Sequence, residues 1–296
     1  MPVEVQPAGN ADIDGVLWGY KWASKQLTYS IPASASAWEY GRGIVHFEPL
    51  NALQKAAALA AVKNADAVSG LRLTRGGSDA DLRFGTADRI NYFDGLGSHP
   101  PGFANMSAEG VPPDPWFRDV AQGDMWFSRG AYQLPKPGTP SFAAVFLHEL
   151  GHALGLKHGQ DAQYGANGIL FPKLPRDHDS QEYSVMTYNT YPGHIPERFN
   201  APLDYPTTFM QSDIAALQHM YGAGYGYHSS STVYKWDPRT GEMFVNGVGQ
   251  GEPVRNKIFL TVWDGGGKDT FDFSNYTTNV IADLRPGHWS TPSQSQ

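Results

Sequence analysis

The chain has 296 residues, of which 41% are hydrophobic, 17% are charged and none is cysteine. The hydrophobic share is large enough for a folded core, so the composition excludes an intrinsically disordered chain. The net charge of −7, with no run of Lys or Arg, argues against nucleic acid as a partner. A chain without cysteine has no disulfides, thiolate zinc sites or cysteine nucleophiles. The sequence contains no uncharged apolar stretch of about 18 residues, the length that a membrane-spanning helix needs. No classical signal peptide is visible.

Helices and short strands are predicted over the first three quarters of the chain. Asn51 to Val68 is rich in Ala, contains no Gly or Pro and stops before Gly70, which predicts a helix packed on one face. The other predicted elements are strands at Gln26–Ile31, Leu71–Thr74, Asp81–Phe84 and Asp124–Ser128, and helices at Ser141–Leu154 and Gln211–Tyr221. Two long stretches, 85–140 and 155–206, are rich in turn residues, and loops of this length are usually functional or mobile.

The composition changes after Gly222, where a Gly/Ser/Tyr-rich run predicts a domain boundary. The boundary separates a first domain, 1–223, from a second unit, 224–296. Strands are predicted in the second unit at Thr232–Trp236, Lys257–Trp263, Thr270–Phe273 and Asn279–Leu284. We therefore expect an all-β unit, and we expect it to be incomplete because no closing element follows the last strand.

The segment His148-Glu149-Leu-Gly-His152-Ala-Leu-Gly155-Leu-Lys-His158 carries the chemistry. Residues four apart on a helix share a face, so His148 and His152 can present two imidazoles to one metal ion. Gly155 can adopt a left-handed conformation that ends the helix and brings His158 round as a third ligand. Three neutral histidines with one open position describe a catalytic zinc site, and Glu149 can then reach a metal-bound water.

Ordinary helix histidines are the alternative interpretation of this segment. Three of the chain's 10 histidines fall within these eleven residues, and the motif fixes five positions, so coincidence is a poor explanation. The remaining histidines have no ligand spacing.

A second motif, Tyr183-Ser-Val-Met186-Thr-Tyr188, follows the histidines. Alone it would be read as core, but after a three-histidine motif it resembles the Met-turn of the metzincin zinc endopeptidases. The chain resembles the serralysin branch most: it has a Tyr two residues after the turn methionine, and it lacks cysteine and the astacin Glu after the third histidine. Two longer runs also resemble serralysins, Asp213–Gly222 (DIAALQHMYG) and Val262–Tyr276 (VWDGGGKDTFDFSNY). The resemblance extends from about residue 27 to residue 286.

The resemblance implies an α+β fold, with a metzincin catalytic domain (a twisted mixed sheet plus the active-site helix) followed by the start of an all-β roll. It makes Met186 an apolar floor beneath the histidines, with Gly155 as the structural turn. It makes Tyr188 a ligand of the resting zinc that swings away to hydrogen-bond the oxyanion. It also makes Leu82, Arg83 and Phe84 part of an edge strand that pairs with the substrate backbone; an ordinary half-buried strand is an equal alternative.

A structural calcium site is the second metal that the resemblance implies. Asp264, Gly266 and Asp269 lie on a Gly-rich loop that offers hard oxygen ligands. Aligning the strand Thr232–Tyr234 places the partner carbonyls near His228, Ser230 and Thr232. A plain Asp-Gly turn is the alternative.

The sequence therefore predicts a secreted, monomeric zinc endopeptidase that hydrolyses proteins or peptides through a zinc-bound water activated by Glu149, with calcium as a structural ion. A proteinaceous inhibitor is a further candidate partner. The alternative function is a latent or non-catalytic metal-binding module that acts through its β domain. Residues 1–25 are either a propeptide remnant or part of the mature enzyme. The calcium-binding nonapeptide array of serralysins is missing except for one degenerate copy, so we expect the chain to be truncated at its C-terminus. A second difference from serralysins is that Gly159-Gln-Asp replaces their usual Pro-containing stretch after the third histidine.

Overall fold

The computed structural model describes residues 2–39, 43–90, 102–104, 122–128, 140–165, 168–191, 205–253, 256–293 and 296. Within these ranges the chain is mixed α+β, as predicted, with four α-helices and five small sheets. Most of the predicted loop 85–140 lies outside them. The elements in chain order are β1 (Pro2–Glu4), α1 (Ala11–Asp14), β2 (Tyr20–Trp22), β3 (Gln26–Ser30), β4 (Ile44–Val45), α2 (Ala52–Val68), β5 (Arg72–Arg75), β6 (Leu82–Ala87), β7 (Arg89–Ile90), β8 (Gly102–Ala104), β9 (Asp124–Ser128), α3 (Pro140–Ala153), β10 (Gln163–Tyr164), β11 (Leu170–Phe171), α4 (Gln211–Tyr221), β12 (Val233–Trp236), β13 (Met243–Val245), β14 (Val248–Gly249) and β15 (Thr270–Asp272).

The largest sheet has five strands in the order β5-β3-β6-β9-β8. The first four run parallel, and β8 pairs antiparallel with β9 at one edge. The prediction that Leu82, Arg83 and Phe84 lie on an edge strand is wrong, because β6 is hydrogen-bonded to β3 on one side and to β9 on the other. Leu82 and Phe84 are fully buried, and Arg83 forms a two-pronged ion pair with Asp124. Both lateral positions of β6 are thus occupied by the protein's own backbone.

The helices pack on this sheet through apolar side chains. Asn51 caps α2 and exchanges hydrogen bonds with Gln54, an arrangement that satisfies two otherwise free N–H groups of the first turn. Helix α3 packs against α2, β8 and β9. The ring of Phe146 on α3 stacks on Phe127 of β9, with ring centroids 4.0 Å apart. Helix α3, which carries His148 and His152, is therefore fixed on the sheet by its apolar face.

The N-terminal residues, which the sequence left open as propeptide or mature enzyme, pack into the core. Strand β1 pairs with β2, and the Val16, Leu17 and Trp22 side chains are buried in the main hydrophobic cluster. The Trp22 indole N–H donates to the carbonyl of Ala153 at the end of α3 (2.8 Å). This segment thus helps to hold the C-terminal end of helix α3.

The C-terminal unit contains a four-stranded sheet in the order β14-β13-β12-β15. Two predicted strands, Lys257–Trp263 and Asn279–Leu284, are wrong. The first makes its backbone hydrogen bonds to the segment before α4, from Thr207 N–H to the Phe259 carbonyl and from Thr261 N–H to the Thr208 hydroxyl. The second has only an isolated bridge between Ile281 and Thr291. No helix in the described part of the chain is long and apolar enough to cross a membrane.

A buried carboxylate ties α4 to the turn 183–188. Asp213 is fully buried and accepts hydrogen bonds from the Ser184 hydroxyl and from the N–H groups of Val185 and Met210. The Ser184 hydroxyl in turn accepts from the N–H of Met186 (2.9 Å). Since buried polar groups need partners, Asp213 and this turn specify each other's position.

We expect Asp213 to make stability depend on pH. Burial raises the pKa of Asp213 from 3.8 to about 7. Between about pH 4 and pH 7 the folded chain therefore holds a proton that the unfolded chain has lost, and stability falls as pH rises. Relative to Asp213→Asn, the unfolding free energy of the wild type should fall by about 1.4 kcal/mol per pH unit in this window. Urea unfolding of both proteins across the window measures this difference, and parallel pH profiles would contradict it.

Candidate metal centre

The two helical histidines of the motif lie on one face of α3, as their spacing predicts. Helix α3 ends at Ala153, and Gly155, in the turn that follows, has a φ of +106°, which glycine adopts at low cost. A Cβ at this position would also overlap the carbonyl oxygen of Tyr20. Beyond Gly155 the chain turns back, so His158 returns to the face that carries His148 and His152.

The three imidazoles converge on one point through their Nε2 atoms. The Nε2 of His148 lies 3.1 Å from that of His152 and 3.2 Å from that of His158, and the remaining pair is 3.1 Å apart. Four-coordinate zinc with bonds of about 2.0–2.1 Å places its nitrogen ligands roughly 3.4 Å apart. Among the described residues this is the one group of three or more His, Asp or Glu side chains close enough to share an ion. The donor set therefore fits zinc.

The outer ring nitrogens are fixed by acceptors. His148 Nδ1 donates to the carbonyl of Val185 and His152 Nδ1 donates to that of Leu156, both at 2.8 Å. His158 Nδ1 faces a carboxylate oxygen of Asp161 at 3.4 Å. A carbonyl can only accept, so it fixes the proton on Nδ1 and leaves the Nε2 lone pair for a metal.

Burial keeps these histidines neutral. It lowers the pKa of His148 to about 3 and that of His158 to about 4, and it places that of His152 well below 6.5. For each of them the neighbouring positive charges, from the other imidazoles or from Lys157, act in the same direction. Neutral imidazole is the form that binds a metal ion.

Glu149 lies beside the triad with an unused carboxylate oxygen. The residue is 4% exposed, and its Oε2 has no hydrogen-bond partner among the described residues. Burial raises the pKa of this carboxyl group well above 4.5. A buried polar atom without a partner is uncommon in folded proteins and indicates a group reserved for a ligand or a reaction.

The turn 183–188, which resembles a Met-turn, packs against helix α3 and against the chain just after His158. A Cβ at Gly151 would overlap the sulfur of Met186, which is fully buried, so glycine allows the close approach. The Met186 carbonyl accepts from the N–H of Gly159 (3.2 Å). The Tyr188 hydroxyl lies 2.9 Å from His158 Nε2, and partial burial, with the Glu149 and Asp161 charges, raises its pKa to about 12. Tyr188 thus reaches the point where the three histidines meet, while more than half of its surface, 57%, stays exposed.

The structure also brings together the residues predicted for calcium. The loops 225–232 and 264–270 lie side by side: the Thr232 N–H donates to Asp269 Oδ1 (2.9 Å), and the Gly265 N–H donates to the carbonyl of Tyr227 (2.8 Å). Asp264 accepts from the Gly266 N–H and from the Tyr234 hydroxyl, which also contacts the ring of His228. The Ser230 carbonyl accepts from the Thr232 hydroxyl. Calcium binding by these residues stays a prediction.

Several residues that support the triad have no recognisable signal in the sequence. The carbonyls of Val185 and Leu156 belong to apolar residues, and their role depends only on where the backbone passes. Trp18, whose ring meets His152 edge-on with centroids 5.6 Å apart, is far away in the chain. Asp161 could have been proposed from its position three residues after His158.

The site thus has the arrangement of a three-histidine metal site on a helix–turn motif, and comparisons with known proteins show what the chain is similar to. Residues 223–292 match the family described as Peptidase M10 serralysin C terminal. Metalloprotease AprA of Pseudomonas entomophila is 30% identical over 94% of this chain and 55% of its own length. Serralysin B of Dickeya chrysanthemi is 32% identical and serralysin of Proteus mirabilis 33% identical, each over 57% of this chain, and the matches cover 34% and 33% of those proteins.

These matches confirm the resemblance that the motifs indicated. The chain is related to the serralysin-type M10 metalloproteases, and residues 223–292 form a serralysin C-terminal segment. The chain spans about half the length of the Pseudomonas relative.

We expect zinc binding to need all three histidines. His152→Ala removes the most buried ligand, and the affinity for zinc should fall by more than about 100-fold, since loss of an outer partner alone costs 10–100-fold. Metal analysis after dialysis and competition with a chromophoric chelator measure the effect. His288→Ala, at an exposed histidine outside the triad, is the matched control. Equal zinc content in the His152→Ala and His288→Ala variants would contradict the assignment.

Proposed function

We propose that this chain is the catalytic part of a secreted zinc-dependent endopeptidase that hydrolyses peptide bonds in proteins. One observation carries the proposal: three Nε2 atoms converge within 3.2 Å of one another, and Glu149, the residue after the first of these histidines, has a buried Oε2 without a hydrogen-bond partner among the described residues. A purely structural zinc site would need no buried carboxylate beside its ligands. The metalloprotease names of the relatives support the same reaction class.

Zinc on His148, His152 and His158 would supply a Lewis acid that polarises the scissile carbonyl and lowers the pKa of a bound water to about 7. Glu149 then acts as the general base and acid. Its Oε2 accepts a proton from the attacking water and delivers it to the leaving amine nitrogen. The buried position of Glu149 on α3 keeps this oxygen away from competing donors.

Tyr188 is proposed to serve the developing oxyanion. Its hydroxyl lies 2.9 Å from His158 Nε2, and much of its ring is exposed, which gives the side chain room to rotate. The raised pKa keeps the phenol protonated near neutral pH, so it can donate a hydrogen bond to the carbonyl oxygen as negative charge develops there.

The substrate backbone is proposed to pair with β8. Within the described residues β8 is the last strand of the sheet and pairs with β9, and α3 packs beside it. An extended peptide can add to such an edge by backbone hydrogen bonds, which explains cleavage of varied sequences. Leu82, Arg83 and Phe84 in the sheet interior have no such free side.

We further propose that Asp264 and Asp269, with carbonyls of the 225–232 loop, hold a structural calcium ion. Hard carboxylate and carbonyl oxygens are the ligands that calcium prefers. Bound calcium would join the two loops at the point where the C-terminal unit begins. A cation at this point suits a protein that works outside the cell without disulfides.

The catalytic role of Glu149 is tested by Glu149→Gln. The variant keeps the shape of the side chain but cannot move a proton, so kcat/KM for casein or a quenched fluorescent peptide should fall by about 10²–10⁴-fold. Zinc content should remain at one ion per chain. The exposed Glu182→Gln is the control and should retain full activity. A wild-type chain that binds zinc but cleaves nothing in a peptide library would favour the non-catalytic module instead.

Calcium binding is tested on the C-terminal loops. Calcium added to zinc-loaded, calcium-stripped protein should raise the unfolding temperature by several degrees, because an ion that binds only the folded state stabilises it by mass action. Asp269→Asn removes one ligand charge and should abolish most of this increase. Asp283→Asn, at a half-buried carboxylate outside the loops that pairs with Arg285, should respond like the wild type. An equal increase in both variants would exclude Asp269 as a ligand.

A further inference from the structure

Lys157 is a buried lysine whose ammonium group lies in a cage of backbone carbonyls. The residue is 2% exposed. Its Nζ lies 2.5 Å from the carbonyl oxygen of Gly15, 2.7 Å from that of Asp161, 2.8 Å from that of Pro172 and 3.3 Å from that of His158. Lysine is almost never fully buried unless its charge is compensated. Here four carbonyl dipoles compensate it, in the way that carbonyl oxygens surround a bound cation.

The four carbonyls come from three separate segments of the chain. Gly15 belongs to the N-terminal segment, which also pairs with the motif through the Lys157 N–H to the Val16 carbonyl (2.8 Å). Pro172 lies on the segment after β11, and the remaining two carbonyls lie in the turn that starts at His158. The ammonium therefore joins all three segments, whereas the pair between His178 Nδ1 and Asp12 Oδ1 (2.7 Å) links only the N-terminal segment to the segment after β11.

This cage bears directly on the third histidine of the triad. His148 and His152 are oriented by carbonyls 2.8 Å from their Nδ1 atoms. His158 instead faces the side chain of Asp161 at 3.4 Å. The main-chain carbonyl of the same Asp161 is bound by Lys157 Nζ, so the lysine holds the turn that carries both the third imidazole and its carboxylate partner.

We propose that Lys157 is a positioning residue for His158, and that its ammonium group acts as an internal cation that sets the turn 158–161 for metal binding. The inference rests on the proposed zinc site and adds a residue that the zinc motif leaves unspecified. Without the ammonium, four carbonyl oxygens would face an unfilled buried space, and the turn would relax to find other donors. The third ligand would then lose its fixed orientation towards the other two.

The test compares zinc binding in Lys157→Ala, Lys157→Met and the wild type, with the exposed Lys173→Ala as control. Zinc affinity is measured by chelator competition, and the visible spectrum of the cobalt(II)-substituted protein reports the geometry at the ligands. We expect both Lys157 variants to bind zinc about 10–100-fold more weakly, the range found for partners that orient a ligand. Their cobalt spectra should be altered, while Lys173→Ala should match the wild type.

Chemical rescue separates the ammonium from simple loss of packing. Propylammonium or ammonium ions at millimolar concentration should restore zinc affinity in Lys157→Ala, where the cage is open. Lys157→Met, whose side chain fills the space without a charge, should not respond, and tetramethylammonium, which cannot donate hydrogen bonds, should rescue neither variant. If Lys157→Ala folds only when propylammonium is present, the requirement for a cation in the cage is shown by folding itself.

Three results would overturn the inference. They are wild-type zinc affinity in both Lys157 variants, weakened affinity that no ammonium ion restores in folded Lys157→Ala, and equal rescue of the Met variant. A wild-type chain that binds no zinc would overturn the proposed function itself, and the inference with it. Unfolding temperatures of the metal-free proteins show whether each variant is folded in the assay.

Discussion

The approach of three neutral imidazoles to a common point is the constraint on which the rest of this site depends. Their Nε2 atoms are 3.1–3.2 Å apart. Charged imidazoles could not be held so close, because like charges at this separation repel strongly where water is excluded. Burial favours the neutral form, and the outward Nδ1–H donors then fix which nitrogen faces the centre. The contacts that keep the three Nε2 atoms unprotonated therefore also leave their lone pairs available to a metal cation.

Holding the imidazoles in place requires backbone from well beyond the motif. Helix geometry alone aligns His148 and His152. The Val185 carbonyl, which orients His148, belongs to a turn that Asp213 fixes from helix α4. The third imidazole depends on the turn after Gly155 and on the N-terminal segment that crosses it. Helix α3 therefore carries two of the three histidines, and backbone from the rest of the domain fixes the orientation of their imidazoles.

The sequence predicted the elements whose signals are local. Helix α4 begins and ends where predicted, and α2 and α3 differ from prediction by one residue at one or both ends, because capping residues, glycine stops and apolar periodicity all lie within each segment. The three-histidine cluster could be predicted for the same reason. The order of strands could not: the resemblance made Leu82, Arg83 and Phe84 part of an edge strand, yet β9, which comes some forty residues later in the chain, pairs with β6. Lys257–Trp263 likewise has strand composition, but its backbone hydrogen bonds go to the segment before α4.

A chain without cysteine needs other cross-links between distant segments, and here buried polar side chains bound to backbone atoms provide them. The Tyr221 hydroxyl donates to the carbonyl of Leu154 and accepts from the N–H of Trp22, which connects three segments at the end of α3. Asp213 acts in the same way with backbone N–H groups, and Lys157 with carbonyls. Such side chains cannot be recognised from sequence, since Lys157 reads as an exposed residue on an apolar turn. Each contact strengthens in a low-dielectric interior and becomes costly when one partner is removed. The same residues that replace covalent links also lie against the turns that carry the histidine triad, so the proposed metal centre couples metal affinity to fold stability.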